Sequence, residues 1–583
     1  MYSLLVGALL ALANVYDPRL RAYMGRIMGP DRTDLVTPLV RRRMKERLAE
    51  GCPTTTYEMR QIIISEVWDH CKLTLAPRWL RDFEGEEEQK IGSINVRGDY
   101  ATAVHPSAVK LFAPKKSRYD SGLNNRSLRK AAMRVYRRLT EAGFPTHCGP
   151  TLLKMPGEGK EKNGLGCPFW SRKEEDRVDA FAKAVELRRE LEESAPKGDY
   201  WHCTSHPDIS FAALERSRRE FASLIEALPF TVGMRGQQKG NYCVASYRAI
   251  CQAPAIVSIL ERSWVDAMMP MLRKADCFAA FGGPESVDRA MTTMLQDPKG
   301  MIWSIDYQGF DSSVPPWLVN VAFDILWNVG IAEWKYANEF VFLKTHFLTA
   351  DLLTPCGRLT GRFGSIPSGS GFTSLIGCVV NLLVMELAAQ HFGFNVIRVQ
   401  VCGDDGVWQL MPHGKHPMDP VVVMSWIYET FGMRLHPDKQ HIDYDSAHFL
   451  QNIHRASWLR GGLNVGVRPI MRVLGGMLSY ERFKPGWSAE MDTLRWIQQL
   501  EAARNHPCFP AFVVWFCAHD RLATKPVSQL IASAGGVEKV RGLLATGFHV
   551  GKTPVEMLAS TLTARMIAEV AKGGDPWDIH LPL

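Results

Sequence analysis

The stretch Val399-Gln400-Val401-Cys402-Gly403-Asp404-Asp405-Gly406-Val407-Trp408-Gln409-Leu410 constrains this chain more than any other. Apolar residues alternate at Val399, Val401 and Val407, and Gly403 and Gly406 bracket the adjacent carboxylates Asp404 and Asp405. Alternation, a Gly/Asp turn and a second apolar run predict a β-hairpin. Two aspartates on a hairpin tip repel each other unless something positive lies beside them. A divalent cation would answer that repulsion, because hard oxygen ligands suit Mg²⁺. An ordinary solvent-facing Asp-Asp-Gly turn is the other reading. Whether other residues supply partners decides between the two.

At 583 residues the chain exceeds one ordinary domain, so several lobes are expected. A hydrophobic share of 46% beside 22% charged residues supports a large core. The net charge of +8 is a mild basic bias, compatible with a polyanionic partner. The 13 cysteines are scattered with no Cys-x-x-Cys pair, which favours free thiols in a reducing compartment and gives a zinc site no support. The apolar run Met1 to Tyr16 has no preceding Lys or Arg and is too short to span a bilayer. It is expected to be a buried helix rather than a signal peptide, and no membrane span is expected elsewhere. Internal repeats are not evident.

Leu39 to about Lys90 has a helical pattern, with basic residues at Arg41 to Arg47 and acidic ones at Glu84, Glu86, Glu87 and Glu88. Solvated helix faces are the expectation for both. From Pro114 to Thr140, Arg126, Lys130, Arg134 and Arg138 recur at every fourth position and would form a basic stripe on a helix. Such a stripe can track phosphates without reading bases, or simply keep a helix soluble. Between Lys154 and Arg172 glycines alternate with charges in a loop that lacks the Gly-Lys-Ser/Thr of a P-loop. Lys173 to Glu193 is a helix of mixed charge. Arg235 and Lys239, followed by Arg248, form a second basic group beside a predicted strand at Tyr242 to Ala245. Glycines among them would let cations and backbone approach phosphate.

Met301 to Ile305 is a predicted buried strand that ends in Asp306, with Asp311 after a short turn. Pro315-Pro316 would start a helix whose buried face holds Leu318, Val321, Ala322, Ile325, Leu326 and Val329. A carboxylate at a strand end can point into a cleft or into solvent. Gly364 to Thr373 is a small-residue loop opening a helix on which Thr373, Gly377 and Asn381 share one side. After the hairpin, Asp419, Pro420 and Gly432 read as N-cap, first helical residue and terminator. Lys439 falls in a loop before a short strand, Phe449 to Ile453 begins a hairpin turning at Gly461-Gly462, and the pattern beyond Arg468 is helical. Trp496, Leu500, Phe512, Val513 and Phe516 are the expected core there.

Nucleotidyl transfer requires a 3′-hydroxyl, an α-phosphate and a leaving pyrophosphate held in line, with two metal ions offsetting charge. Asp306-Tyr-Gln-Gly-Phe-Asp311-Ser-Ser-Val-Pro315, Ile366-Pro-Ser-Gly-Ser-Gly-Phe-Thr373 with Asn381, and Gly403-Asp404-Asp405 occur in that order. They resemble motifs A, B and C of viral RNA-dependent RNA polymerases, most of all those of double-stranded RNA viruses of the partitivirus (partiti-/picobirna-like) group. The resemblance covers roughly Arg235 to Glu481, with Leu478-Ser-Tyr-Glu481-Arg in the post-palm place. The first two hundred or so residues match only in size and character. It implies an α+β right-hand fold whose palm is a small antiparallel sheet flanked by helices. Residues 1–95 would be an N-terminal helical extension bridging fingers and thumb, 96–300 fingers, 301–465 palm with an inserted finger segment, and 466–583 a helical thumb.

The same resemblance implies that Asp306 and Asp404, with Asp405 as a secondary ligand, hold two Mg²⁺ ions, Mn²⁺ being an alternative. Asp311 and Asn381 would sense the ribose 2′-hydroxyl, with Thr373 on the same sugar-facing helix. Ser368 and Gly369 would form a loop that moves with translocation. Lys239 and Arg248, with Arg235, would neutralise the incoming triphosphate, and Lys439 would protonate pyrophosphate. RNA template, nascent RNA and NTPs are the implied partners, viral capsid protein a further one, and virion interior or host cytoplasm the implied location. The chain departs from the group at Gly406, where Ser is common, and in the spacing around Arg235 to Arg248. A reverse transcriptase would usually carry an aromatic before the aspartate pair, where Cys402-Gly403 stands. A non-catalytic viral RNA-binding protein would keep the basic stripe and leave the carboxylates as turns.

Overall fold

A computed structural model describes residue 22 and residues 36–92, 104–141, 149–155, 165–171, 173–194, 207–237, 246–297, 300–330, 333–412, 419–480, 487–544 and 553–580. The expected helix at Met1 to Tyr16, the predicted strand at Tyr242 to Ala245, most of the glycine loop before Arg172, Lys239 and Glu481 lie outside the described residues. The chain divides into two compact units, one of residues 1–28, 104–234 and 249–450, the other of 29–103, 235–248 and 451–583.

The strands are β1 (Phe230–Gln237), β2 (Ser246–Gln252), β3 (Met301–Ile305), β4 (Tyr307–Gln308), β5 (Leu352–Thr354), β6 (Gly357–Leu359), β7 (Phe394–Cys402), β8 (Asp405–Pro412), β9 (Arg434–Leu435), β10 (His441–Asp443), β11 (Ser446–Phe449) and β12 (Asn452–Arg455). In the first unit β10, β3, β8 and β7 form an antiparallel sheet in that order. β3 is buried along its whole length, as expected of a strand with no polar side to offer solvent. Trp303 on β3 meets Trp408 on β8 edge to face, 5.9 Å between ring centroids. A register shift between Val396 and Arg398 interrupts the β7/β8 ladder, a bulge that bends the hairpin.

The helix Thr373–Phe392 backs this sheet and is buried from Leu375 to Ala389. Among the described residues it is long and apolar enough to cross a membrane, yet 83% of that apolar window is covered by protein. A helix apolar all round is what a core element requires. It packs with the helices Asn125–Glu141 and Pro316–Gly330. Phe323, Phe340, Phe347 and Phe372 interlock there, with Phe323 at 5.8, 5.2 and 5.4 Å from the other three rings. The expected buried face of Pro316–Gly330, from Leu318 to Val329, is buried as patterned. Asp419 caps the helix Pro420–Phe431 by accepting from Val421 N at 2.9 Å, and Gly432 ends it at φ +72°.

The second unit is helical. Pro38–Ala49 and Thr56–His70 share one core with Ile470–Leu478, Ala489–Leu500 and Phe509–His519, through Val40, Ile63, Leu474, Ile497 and Phe512 among others. Arg78–Glu88 packs on Ile470–Leu478, and its Leu80 and Phe83 form a smaller cluster with Ile453 and Val467. The expected solvated acidic face is corrected here, because Glu84 and Glu87 are buried. Glu84 accepts from Ile470 N and Met471 N at 2.7 and 2.8 Å, and its carboxylate lies 2.9 Å from His506 Nε2. It thus satisfies the open amides of a helix N-terminus, where a negative charge is also favoured by the helix dipole. Glu87 pairs with Arg472 and Lys90, and those two cations hold its pKa down against the upward push of burial.

Candidate active site

The β7/β8 hairpin turns at Gly403 and Asp404, with Cys402 and Asp405 as its last register pair. Gly403 has φ +68°, the left-handed conformation that glycine adopts without steric cost in a tight turn. On the other side of β8, Ile305 of β3 lies opposite Gly406. One step further along both strands brings Asp306 beside Asp405. Three carboxylates therefore gather at one end of the sheet, Asp404 exposed and the other two half-buried.

Lys439 Nζ is 3.9 Å from Asp306 Oδ1, with the side chains 53% and 42% exposed. Water screens that pair, so Lys439 is a solvent-exposed cation beside the carboxylates rather than a structural bridge. The backbone of Asp306 is held more firmly. Its carbonyl accepts from His436 N at 2.9 Å and from Gln440 Nε2 at 2.8 Å, and Gln440 Oε1 accepts from Trp303 Nε1 at 2.9 Å. Tyr307, buried, lies near Asp404; burial first, then that carboxylate, push its phenol pKa far up.

The long helix supports the turn from below. Asn381 is fully buried and its Nδ2 donates to the carbonyls of Gly403 and Asp404, 3.2 Å each. Gly403 N donates to Cys378 Sγ at 3.1 Å. A Cβ on Gly377 would come within 3.1 Å of Gly403 Cα, and one on Gly406 within 3.0 Å of Asn381 Nδ2. Glycine at both positions lets the helix and its asparagine approach the turn backbone directly. The spacing of Thr373, Gly377 and Asn381 put them on one side of a helix, and at Gly377 and Asn381 that side faces the hairpin turn. The Thr373 hydroxyl is engaged closer to home, 2.6 Å from Pro367 O and 2.9 Å from Ser370 O.

The loop Ser368–Gly371 is fastened at several points. Gly369 bridges Gln252 in parallel register, and Ser368 Oγ accepts from Cys251 N at 3.4 Å. Ile366 N donates to the carbonyl of Asp311 at 2.7 Å, tying the half-buried Asp311 segment to the same loop. Buried Arg362 donates to the carbonyls of Ala350, Phe347, His346 and Gly364 at 2.9, 2.7, 3.3 and 3.1 Å, anchoring the approach to the loop.

One residue in this site escaped the sequence reading. Glu261, on the helix Ala255–Leu272, is fully buried, and its carboxylate accepts from Ser370 Oγ at 2.6 Å and Gly371 N at 2.7 Å. Burial raises its pKa to about 7, against the lowering effect of those two hydrogen bonds. Folding therefore binds a proton here that the unfolded chain releases. The group's stabilising contribution is full below the unfolded carboxylate pKa and is lost as pH rises through about 7. Glu261→Gln copies the protonated form, since its amide can donate to Ser370 Oγ while its carbonyl accepts from Gly371 N. The expected result is that the variant gains stability relative to the parent between pH 5 and pH 8, by on the order of 3 kcal/mol. Paired melts at several pH values check it; a gap that does not change with pH would contradict the assignment.

Arg235, half-buried on β1, and exposed Arg248 on β2 belong to the other compact unit. No group of three or more His, Cys, Asp or Glu among the described residues is arranged to hold a metal. The three carboxylates offer oxygen donors only and are open to solvent. That suits Mg²⁺, which takes one or two carboxylates and completes its shell with water and substrate phosphates.

The viral RNA-dependent RNA polymerase family model matches residues 247–532. No curated protein matches the chain. Among solved structures, the chain is similar to the crystal structure of the RNA-dependent RNA polymerase of a human picobirnavirus, at TM-score 0.65 and 17% identity over 95% of this chain and 97% of that one. It is also similar to the insertion-loop deletion mutant of that human picobirnavirus polymerase, at TM-score 0.63 and 18% identity over 94% and 97%. These likenesses show the fold, the α+β right-hand fold of polymerases. The family uses divalent metal ions and binds RNA and NTPs. With that match over residues 247–532 and three aspartates at one sheet end, the chain is an RNA-directed RNA polymerase similar to those of the viral family.

Proposed function

We propose that this polymerase copies and transcribes the genome of a double-stranded RNA virus, with Asp306 and Asp404 as the principal metal-binding carboxylates and Asp405 as a secondary one. The observation that carries the reading is the strand register, which brings Asp306 beside Asp405 next to the turn that bears Asp404. Two Mg²⁺ ions, or Mn²⁺ in their place, would when bound offset charge on the attacking and leaving oxygens. Lys439, beside Asp306 and open to solvent, delivers a proton to the departing pyrophosphate. Asp311 and Asn381 sense the ribose 2′-hydroxyl, and Asn381 also holds the turn through its carbonyls. Thr373 lies on the same sugar-facing helix, Ser368 and Gly369 form the loop that moves with template translocation, and Arg235, Lys239 and Arg248 neutralise the triphosphate.

Residues 301–465 serve as palm, 96–300 as fingers and 466–583 as thumb. Residues 1–95 form the extension that braces the thumb, in keeping with the core shared by the helices from Pro38 to His70 and those after Ile470. The protein acts in the virion interior or host cytoplasm, with capsid protein as a further partner. A primed RNA template incubated with purified protein and Mg²⁺ tests the activity. Extension is expected with NTPs, with dNTP incorporation lower by on the order of 10⁴-fold, because a site built around a hydroxyl rejects the analogue lacking it. Comparable use of dNTPs would favour a reverse transcriptase; no extension at all would favour the RNA-binding reading.

A further inference from the structure

We propose a second RNA-binding site, in a basic trough at the far end of the hairpin from the catalytic turn. The inference rests on the polymerase reading only in taking RNA as the polyanion at hand. The helix Asn125–Glu141 and the C-terminal end of the helix Thr373–Phe392 border a cavity of about 970 Å³. Arg126, Lys130, Arg134, Arg137 and Arg138 all line it. Buried Glu386 takes two of these, Arg134 at 3.3 Å and Arg138 at 2.9 Å. That carboxylate is thereby committed, and the basic stripe is half structural. Arg126, Lys130 and Arg137 are exposed and have no acidic partner among the described residues.

Arg138 and Glu141 also line an adjoining cavity of about 570 Å³, which adds Arg273 and Lys274. The excess of positive charge therefore continues beyond the first cavity. β7 starts at the trough, at Phe394, and ends at Cys402 beside the catalytic turn. At about 3.3 Å per residue the two lie roughly 25 Å apart, too far for one bound nucleotide to reach both.

Two features favour a single-stranded RNA over a small anion or an acidic peptide. Arg126 and Lys130 are one helical step of four residues apart, about 6 Å along the axis, so they can meet successive backbone charges. Exposed His391 lines the cavity and stacks on Trp426, ring centroids 4.6 Å apart and planes at 19°. An aromatic surface beside a basic groove is what single-strand binders use to hold bases. The trough would keep a strand tethered while another segment occupies the catalytic cleft.

The test is the triple variant Arg126→Ala/Lys130→Ala/Arg137→Ala in the full chain, with the melting temperature checked against the parent. Alanine keeps the helix, and all three side chains are exposed. Binding of a single-stranded 20-mer RNA is measured from 50 to 200 mM salt, beside extension of a short RNA hairpin at saturating concentration. Affinity is expected to fall by on the order of 10- to 100-fold and the log–log salt slope to lose about two units, from about 0.7 per phosphate contact. Hairpin extension should hold within about twofold, since the trough lies outside the span of a short duplex. An unchanged slope overturns the site. Equal loss of binding to polyglutamate overturns its assignment to RNA and marks a general acidic-polymer site. If the parent protein binds RNA through the trough yet extends nothing, the polymerase reading fails while the site stands.

Discussion

Asp404→Asn should abolish RNA synthesis, lowering it on the order of 10³-fold or more, while RNA binding and melting temperature stay near those of the parent. The asymmetry follows from where the residue sits. Asp404 is exposed at the tip of a two-residue turn, and that turn is held through its backbone, by Asn381 on two carbonyls and by Cys378 on Gly403 N. The side chain contributes none of those contacts. Replacing a carboxylate by an isosteric amide also relieves repulsion from Asp405 and Asp306, so stability holds or rises slightly. What is lost is a negative charge where divalent ions must be attracted, and such charge stabilisation is commonly the largest single contribution to catalysis. Single-turnover extension with Mg²⁺ measures the loss, and melting curves with RNA titrations measure what is retained. Normal extension by the variant would remove Asp404 from the metal site. Loss of folding together with loss of extension would mean the turn depends on that side chain after all.

The residues legible in the sequence are those whose signal is local. Alternation around Gly403-Asp404 gives the hairpin, Asp419 and Gly432 bracket their helix, and Val321 to Val329 repeat at helical spacing, because each pattern is generated by neighbours along the chain. The carboxylates could be placed on their elements for the same reason, and their order carried the family resemblance. What stayed hidden depends on partners hundreds of residues away. Glu84 lies in an acidic run that reads as a wet surface, yet its partners are the amides of Ile470 and Met471. Glu261 looks like the polar side of an ordinary helix, and only the fold brings it to Ser370 and Gly371. Arg134 and Arg138 repeat like Arg126 and Lys130, but Glu386 singles them out. Periodicity reports which way a side chain faces and is silent on what it meets. Gly406 belongs to the same class. As a departure from a familiar motif it is unexplained in sequence, whereas in the fold it leaves space for Asn381 beneath the turn.

Gly369→Ala should cost at least about 100-fold in extension with only a small loss of stability, which makes it the sharpest probe of the loop. Its backbone is not in the left-handed region, so the effect is steric. An added Cβ would lie 2.0 Å from the carbonyl oxygen of Cys251 and 2.9 Å from its carbonyl carbon. Neither is the end of a flexible side chain, so backbone has to move, and the contact must open by more than about 1 Å to reach van der Waals distance. β2 ends in this region with Cys251 buried, whereas Gly369 is exposed. The loop is therefore the partner that yields, breaking its bridge to Gln252. An exposed loop moving outward sacrifices one bridge, on the order of 1 kcal/mol. A displacement of about 1 Å in a positioning element is by contrast enough to cost 10²-fold in rate. Gly371→Ala provides the internal comparison, because its Cβ would meet Glu261 Cβ at 3.1 Å, short of an ordinary contact by only a few tenths of an ångström, and its loss should be several-fold smaller. Extension rates and melting temperatures of the two variants side by side decide the matter: equal rates for Gly369→Ala and the parent would show that the loop does not need its seat on Cys251.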